Sequence, residues 1–389
     1  LDAIPNPPLL KPSAPSDFAD SPLARALAQP MMLGLFLPIQ SGGWTGSTLK
    51  RTTTWTFDYN AALTRQAEDL GFDIVFGLAQ FLPKGGYNAV QDGTAIDSFM
   101  TVGALAAITS RILLISTVHV LYGPWHPLHF AKFGATLDHI SKGRWGVNVV
   151  TGHRAVEHEM FGWPQIEHDR RYEMADEFLR VVQHLWTADD NSSYAGESWQ
   201  MKGAYVTPKP LFGRPILVNA TGSGAGIEFA AKHSDIVFIS SPTGTAFETA
   251  IQALPAHVAQ VKAAARKVGR EVRVIINPMV ILGETDEAAA DYADAIIAHS
   301  VAAGGVFGPI SSDAHAWAKR KDYDTPRQRA LGGGNLQIVG GPEQVASDIA
   351  QLKAAGVDGV QLSFFDFAPD LALFGARVLP LLKARGLRL

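Results

Sequence analysis

The 389-residue sequence contains no cysteine. Disulfides, thiolate metal sites and a cysteine nucleophile are therefore excluded. Charge is sparse at 18% of residues, the formal net charge is −4, and no long block of one sign occurs. Such a chain offers no electrostatic footprint for nucleic acid or for an anionic membrane surface. Apolar runs stop short of the roughly 18 to 20 residues that span a bilayer, so no membrane segment is expected. The first residues, Leu1-Asp2-Ala3-Ile4-Pro5, show no basic stretch followed by an apolar one, and no secretory signal is expected. With cysteine absent as well, a cytoplasmic location is the expectation.

What the chain does have is apolar residues, 47% of the total, enough for one large buried core. Residues 1–30, rich in Pro, Ala and Ser, read as an extended arm lying over the surface, reaching a neighbouring subunit, or loosely ordered. From residue 31 apolar runs alternate with amphipathic segments. Strand candidates are 31–38, 73–79, 112–120, 144–151, 214–220, 235–241, 272–282 and 358–365. Helical patterns lie near 58–70, 95–109, 126–140, 169–187, 224–233, 245–268, 285–302, 342–355 and 368–384. Eight βα units with right-handed crossovers make a parallel sheet and favour closure into a (β/α)₈ TIM barrel, an α/β fold. Residues 31–389 are then one barrel with two insertions. One, near 188–213, is polar and suited to a small hairpin; the other, near 303–340, is a lid candidate or an ordinary surface excursion.

In such barrels reactive groups sit at the C-terminal ends of strands. Thr117 near the end of the third strand and Asn148 within the fourth are polar groups in apolar runs, which is costly unless they are hydrogen-bonded. Each reads either as a satisfied core group or as a group facing the barrel mouth. The segment Asn219-Ala220-Thr221-Gly222-Ser223-Gly224-Ala225-Gly226 follows the fifth strand and opens a helix. Glycines admit close backbone approach and the helix start attracts phosphate, so a mononucleotide phosphate fits better than a plain turn. A Walker loop needs a following Gly-Lys-Ser/Thr, and a dinucleotide fold wants an acidic residue ending the next strand, where Ile239-Ser240-Ser241 stands. Asp169 resembles a helix N-cap, while Arg171 and Tyr172 face either solvent or a planar anionic cofactor. The 12 histidines form no metal-ligand spacing, so no metal is expected.

Four stretches carry a family resemblance: Gly123-Pro124-Trp125-His126-Pro127, residues 135–144 (Ala-Thr-Leu-Asp-His-Ile-Ser-Lys-Gly-Arg), Val147-Asn148-Val149-Val150-Thr151-Gly152 and Glu167-His168-Asp169-Arg170-Arg171-Tyr172. On these the chain resembles the luciferase-like, FMN-dependent monooxygenases of the two-component kind, over about residues 31–384. The branches it is most similar to are the dimethyl sulfone monooxygenases, then the pyrimidine oxygenases. The resemblance implies that Ala79 and Gln80 line the isoalloxazine. It also implies that Asn148, Glu157, Arg171, Tyr172, Gly222 and Ser223 contact FMN, with Ser223 at the phosphate. Thr117 and Asn148 match the pair that holds dioxygen near the flavin, which makes them the catalytic candidates. Trp125, His126, His153 and Phe365, the last within Phe364-Phe365-Asp366-Phe367, are the substrate-pocket candidates.

The resemblance further implies FMNH₂ from a separate NAD(P)H:flavin reductase, a flavin peroxide as oxidant, and a homodimer or homotetramer. A sulfone or other organosulfur compound is the first substrate expectation; oxidative ring or C–N cleavage of a pyrimidine-like compound is the second. An F420-dependent dehydrogenase is a third reading on the same fold. Where the alkanesulfonate branch carries Arg-x-His, this chain has Ile275-Ile276-Asn277-Pro278-Met279, which argues against a charged alkanesulfonate. Tyr122 and His153 are further departures from the close branches.

Overall fold

The computed structural model describes residues 8–121, 125–301, 313 and 324–389. Twelve strands are present among them: β1 (Met32–Phe36), β2 (Ile74–Phe76), β3 (Leu113–His119), β4 (Trp145–Val150), β5 (Ser192–Ala195), β6 (Gln200–Ala204), β7 (Ile216–Thr221), β8 (Ile236–Ile239), β9 (Arg273–Ile276), β10 (Pro278–Leu282), β11 (Leu336–Gly340) and β12 (Gly359–Phe364). β1, β2, β3, β4, β7, β8, β9 and β12 pair in parallel in that order, and β12 returns to β1 to close the barrel. All eight expected strands are found. The seventh is broken at Asn277, after which β10 leaves to pair with both β12 and β11. β11 falls inside the expected second insertion and was not foreseen as a strand. The first insertion does contain a hairpin, β5 with β6. Of the lid candidate, residues 303–312 and 314–323 lie outside the described residues.

Strand alternation separates two cores. Leu33, Leu35, Val75, Leu114, Val147 and Leu217 face the surrounding helices. Met32, Phe36, Ile74, Phe76, Leu113, Ile216 and Phe238 fill the interior. Leu23 and Ala26 join that interior cluster from a short helix, Pro22–Leu27, capped by Ser21. Where the sequence suggested an extended arm, these residues instead plug the barrel, because Leu23 is fully buried there. On the inward face of β12, Gln361 stands opposite Gly34; a Cβ at Gly34 would lie 2.1 Å from Gln361 Oε1. A long polar side chain inside the barrel thus demands glycine on the facing strand.

The N-terminal rim is built by a recurring clasp. Asp73, Asp235 and Asp358 each enter a strand, and each donates its backbone N–H to a carbonyl on the preceding strand: Leu33, Leu217 and Val274. The same three residues then give their N–H groups to the aspartate carboxylates, at 2.8, 2.9 and 2.8 Å. Each carboxylate is also paired with a cation: Arg388, Arg214 and Lys262 respectively. Two residues of the 135–144 motif serve packing in the same way. Arg144, 3% exposed, donates to the carbonyls of Ala106, Thr109 and Ile112, and Asp138 accepts the Leu211 N–H.

The helix expected from residue 169 starts at His168, and its N-cap is Glu167, whose carboxylate accepts the Arg170 N–H. Asp169 instead contacts the His168 ring. The final helix runs as Phe367–Leu373 and Leu379–Ala384 around a wider turn at Phe374–Val378. No helix among the described residues is long and apolar enough to cross a membrane.

Asp235 and Arg214 form a bidentate pair at 2.6 and 2.7 Å, both nearly fully buried. Asp235→Asn strands the guanidinium without its counter-charge, an expected loss of about 3–5 kcal/mol in a urea titration. Because the pair lies at the rim opposite the barrel mouth, activity per folded molecule should be unchanged.

Candidate active site

A cavity of ≈360 Å³ opens at the C-terminal ends of the barrel strands. That size lies in the range of sites for drug-sized ligands. Its floor is aromatic. Phe36 packs on Trp44 with ring centroids 4.1 Å apart, and Phe76 meets Phe36 at 5.0 Å and Phe238 at 5.4 Å. In sequence these phenylalanines read only as core; the barrel's taper makes them a platform.

One wall is a candidate phosphate cradle. β7 ends at Thr221, Ser223 caps the helix Gly224–His233, and its Oγ accepts the Gly226 N–H at 3.1 Å. Three hydroxyls converge on this turn. A Cβ at Gly226 would stand 2.2 Å from Thr221 Oγ1, 2.9 Å from the Tyr172 hydroxyl and 3.1 Å from Ser223 Oγ. Thr221 Oγ1 is buried with no hydrogen-bond partner among the described residues. An unsatisfied hydroxyl at a helix N-terminus is what an oxyanion ligand would satisfy. Thr221 was not singled out from sequence; its position as the last residue before Gly222 was the available signal.

The two polar residues in apolar strands are joined. Asn148 Nδ2 donates to Thr117 Oγ1 at 3.1 Å, and Thr117 Oγ1 donates to the Gly77 carbonyl at 2.8 Å. Asn148 Oδ1 accepts the Ala220 N–H at 3.0 Å. This chain of bonds crosses β2, β3, β4 and β7, and both side chains line the cavity. They are thus satisfied core groups and mouth groups at once.

Ala79, Gln80, His153, Arg171, Tyr172, Gly222 and Ser223 also line the cavity. Glu157 stands behind the lining: fully buried, it accepts the Phe81 N–H at 3.1 Å and pairs with Arg154 at 2.9 Å. Arg171 is bidentate to Asp313, with Nη2 at 2.8 Å from each carboxylate oxygen. Three substrate candidates lie elsewhere. Trp125 lines a separate cavity of ≈220 Å³, mainly apolar in its side chains, which shares Ala79, Thr117 and His119 with the larger one. His126 caps the helix Pro127–Ser141, its Nδ1 accepting the Leu128 N–H. Phe365 is buried beneath the Arg51 guanidinium and lines neither cavity, because β12 directs it toward Tyr292 and the Met279 cluster. Tyr122 lies outside the described residues. Cavity residues not anticipated include Trp44, His119, Asn277 and Asn335; the last two bond to each other at 2.6 Å.

Burial sets the protonation here. His119 is held down to about 4 because desolvation outweighs the Glu157 carboxylate 3.9 Å away. His153 is lowered well below its ordinary value, first by burial and then by Arg154. Burial raises Tyr172, so its hydroxyl stays a neutral donor. Among the described residues no group of His, Asp and Glu is placed to hold a metal.

A closed parallel barrel with a hydroxyl-lined helix start at its C-terminal rim and an aromatic floor beside it has the form of a cofactor-binding α/β-barrel enzyme. The family model for luciferase-like monooxygenases matches residues 31–359, and the chain belongs to that family. It is 32% identical over 367 residues to an FMNH(2)-dependent dimethylsulfone monooxygenase of Pseudomonas putida, covering 92% of this chain and 96% of that protein. It is 34% identical over 366 residues to a pyrimidine monooxygenase of Enterobacter cloacae, covering 91% and 97%. In fold it is similar to a riboflavin lyase crystallised with modified FMN and riboflavin, with TM-score 0.79, 23% identity and 93% of each chain covered.

The His119 environment has a signed pH consequence. The unfolded ring takes a proton below about 6.5, the folded ring only below about 4, so this share of stability is present above 6.5 and is lost as pH falls toward 4. At pH 5 the loss is about 2 kcal/mol. Urea titrations at pH 7 and pH 5 should show a loss about 2 kcal/mol larger in the wild type than in His119→Gln.

Proposed function

We propose that this chain is an FMNH₂-dependent monooxygenase that oxidises a small organosulfur compound, a sulfone first, with reduced flavin delivered by a separate NAD(P)H:flavin reductase. The observation that carries the reading is the convergence of phosphate cradle, aromatic floor and the Thr117–Asn148 pair on one cavity. When bound, reduced FMN supplies the electrons with which dioxygen is split between product and water.

The chain's own groups do the rest. Ser223, Thr221, the Tyr172 hydroxyl and the N–H groups of the Gly224–His233 helix take the phosphate. Ala79 and Gln80 border the ring system, and Glu157 fixes that border through the Phe81 N–H. Asn148 and Thr117 form a fixed dipole pair for dioxygen. Their bonds to Ala220 and Gly77 prevent reorientation, so the pair is preorganised. The neutral rings of His119 and His153 add no positive charge to this wall. The adjoining cavity at Trp125 accepts the apolar part of the substrate, and among the described residues no lysine or arginine lines it to hold a sulfonate.

The deciding experiment supplies FMNH₂ through a reductase under ¹⁸O₂ and reads products of dimethyl sulfone and uracil by mass spectrometry. Labelled product from the sulfone is expected. Labelled product from uracil alone transfers the assignment to pyrimidines, and turnover without oxygen overturns the monooxygenase reading in favour of hydride transfer. Thr117→Ala and Asn148→Ala should keep FMN affinity within about threefold while lowering product formation by about 10²-fold. Loss of folding in proportion to lost activity would assign both residues to the core alone.

A further inference from the structure

Arg171 is buried at 1% exposure, yet it lies in the wall of the cofactor cavity beside Tyr172 and Ser223. A guanidinium so enclosed needs a counter-charge. Among the described residues its ion-pair partner is Asp313, with both Asp313 oxygens 2.8 Å from Nη2. Nη1 donates to the Ile166 carbonyl, and Nε has no hydrogen-bond partner among the described residues. Asp313 is docked by a second contact, its N–H donating to the His153 carbonyl at 3.0 Å, and it too lines the cavity.

The carboxylate and the phosphate cradle therefore share one wall. The Tyr172 hydroxyl belongs to that cradle, and it senses both charges, Arg171 favouring its ionisation and Asp313 opposing it. A phosphate dianion entering the cradle meets a guanidinium already neutralised by a carboxylate. Attraction to Arg171 and repulsion from Asp313 then nearly cancel.

We propose that Asp313 masks Arg171 and thereby sets how strongly the site prefers phosphorylated FMN over riboflavin. The inference rests on the flavin reading above and extends it to a residue whose role is to weaken binding. An oxygenase that receives flavin from a reductase must also return it after each turnover. An unmasked buried arginine would hold the dianion and slow that exchange. Asp313 is a positioning and charge-setting residue, acting on the phosphate through Arg171.

The test measures equilibrium binding of FMN and of riboflavin to the wild type, Asp313→Asn, Asp313→Ser and Asp313→Glu, with thermal melting to verify folding. The Asp313 side chain is 36% exposed, and asparagine retains an acceptor for the guanidinium. Loss of the negative charge should tighten FMN binding about tenfold while riboflavin changes less than about twofold. Asp313→Glu should match the wild type. Unchanged or weaker FMN binding in both neutral variants overturns the inference, as does an equal gain for both flavins. If the wild type binds neither flavin, the flavin reading itself falls and the inference with it. Wild-type binding with an unaltered FMN-to-riboflavin ratio in the variants removes the inference alone.

Discussion

A closed parallel barrel pairs its backbone everywhere except at its two rims, and the way this chain treats those rims governs the rest of the molecule. At the N-terminal rim, aspartates 73, 235 and 358 take the strand N–H groups with their carboxylates, and arginine or lysine neutralises each. The helix Pro22–Leu27 then plugs the opening with Leu23. The carboxylates at that end are thus fully engaged by backbone N–H groups and cations. At the C-terminal rim the opposite holds. Thr221 Oγ1 and one oxygen of Asn219 remain buried without partners among the described residues. These are polar atoms that a bound ligand could complete.

Satisfied groups can also face the cavity. Thr117 and Asn148 are held by backbone partners on neighbouring strands, which costs them freedom and gives them direction. A donor fixed by the sheet does not reorganise when charge develops beside it. The choice between satisfied core group and group facing the barrel mouth, posed from the sequence for these two residues, is therefore not a real alternative in this fold. Arg171 shows the complementary case, since its charge is present but neutralised by a residue 142 positions away.

The barrel itself was legible in the sequence because strands buried on both faces are near-continuous apolar runs and the helices between them keep their period. The exceptions have local physical causes. The seventh strand breaks at Asn277 because its amide bonds sideways to Asn335, and β11 follows inside what read as an insertion. The Pro22–Leu27 helix is too short to show a period, so its role as a plug was invisible. Phe365 carried the right chemistry for a pocket, yet strand direction turned it toward Tyr292.

By itself, then, the sequence determined the eightfold alternation, the glycine-rich turn suited to phosphate, and the pairing of rare polar residues with apolar strands. Periodicity and local turn chemistry are encoded within a few residues of one another, so reading them requires no partner. Only the tertiary structure decided that Thr221 and Tyr172 share the Gly226 cradle, that Phe36, Trp44, Phe76 and Phe238 form one floor, and that Asp313 neutralises Arg171. These depend on which residues barrel closure brings face to face across dozens to more than a hundred positions, and no local pattern records that distance.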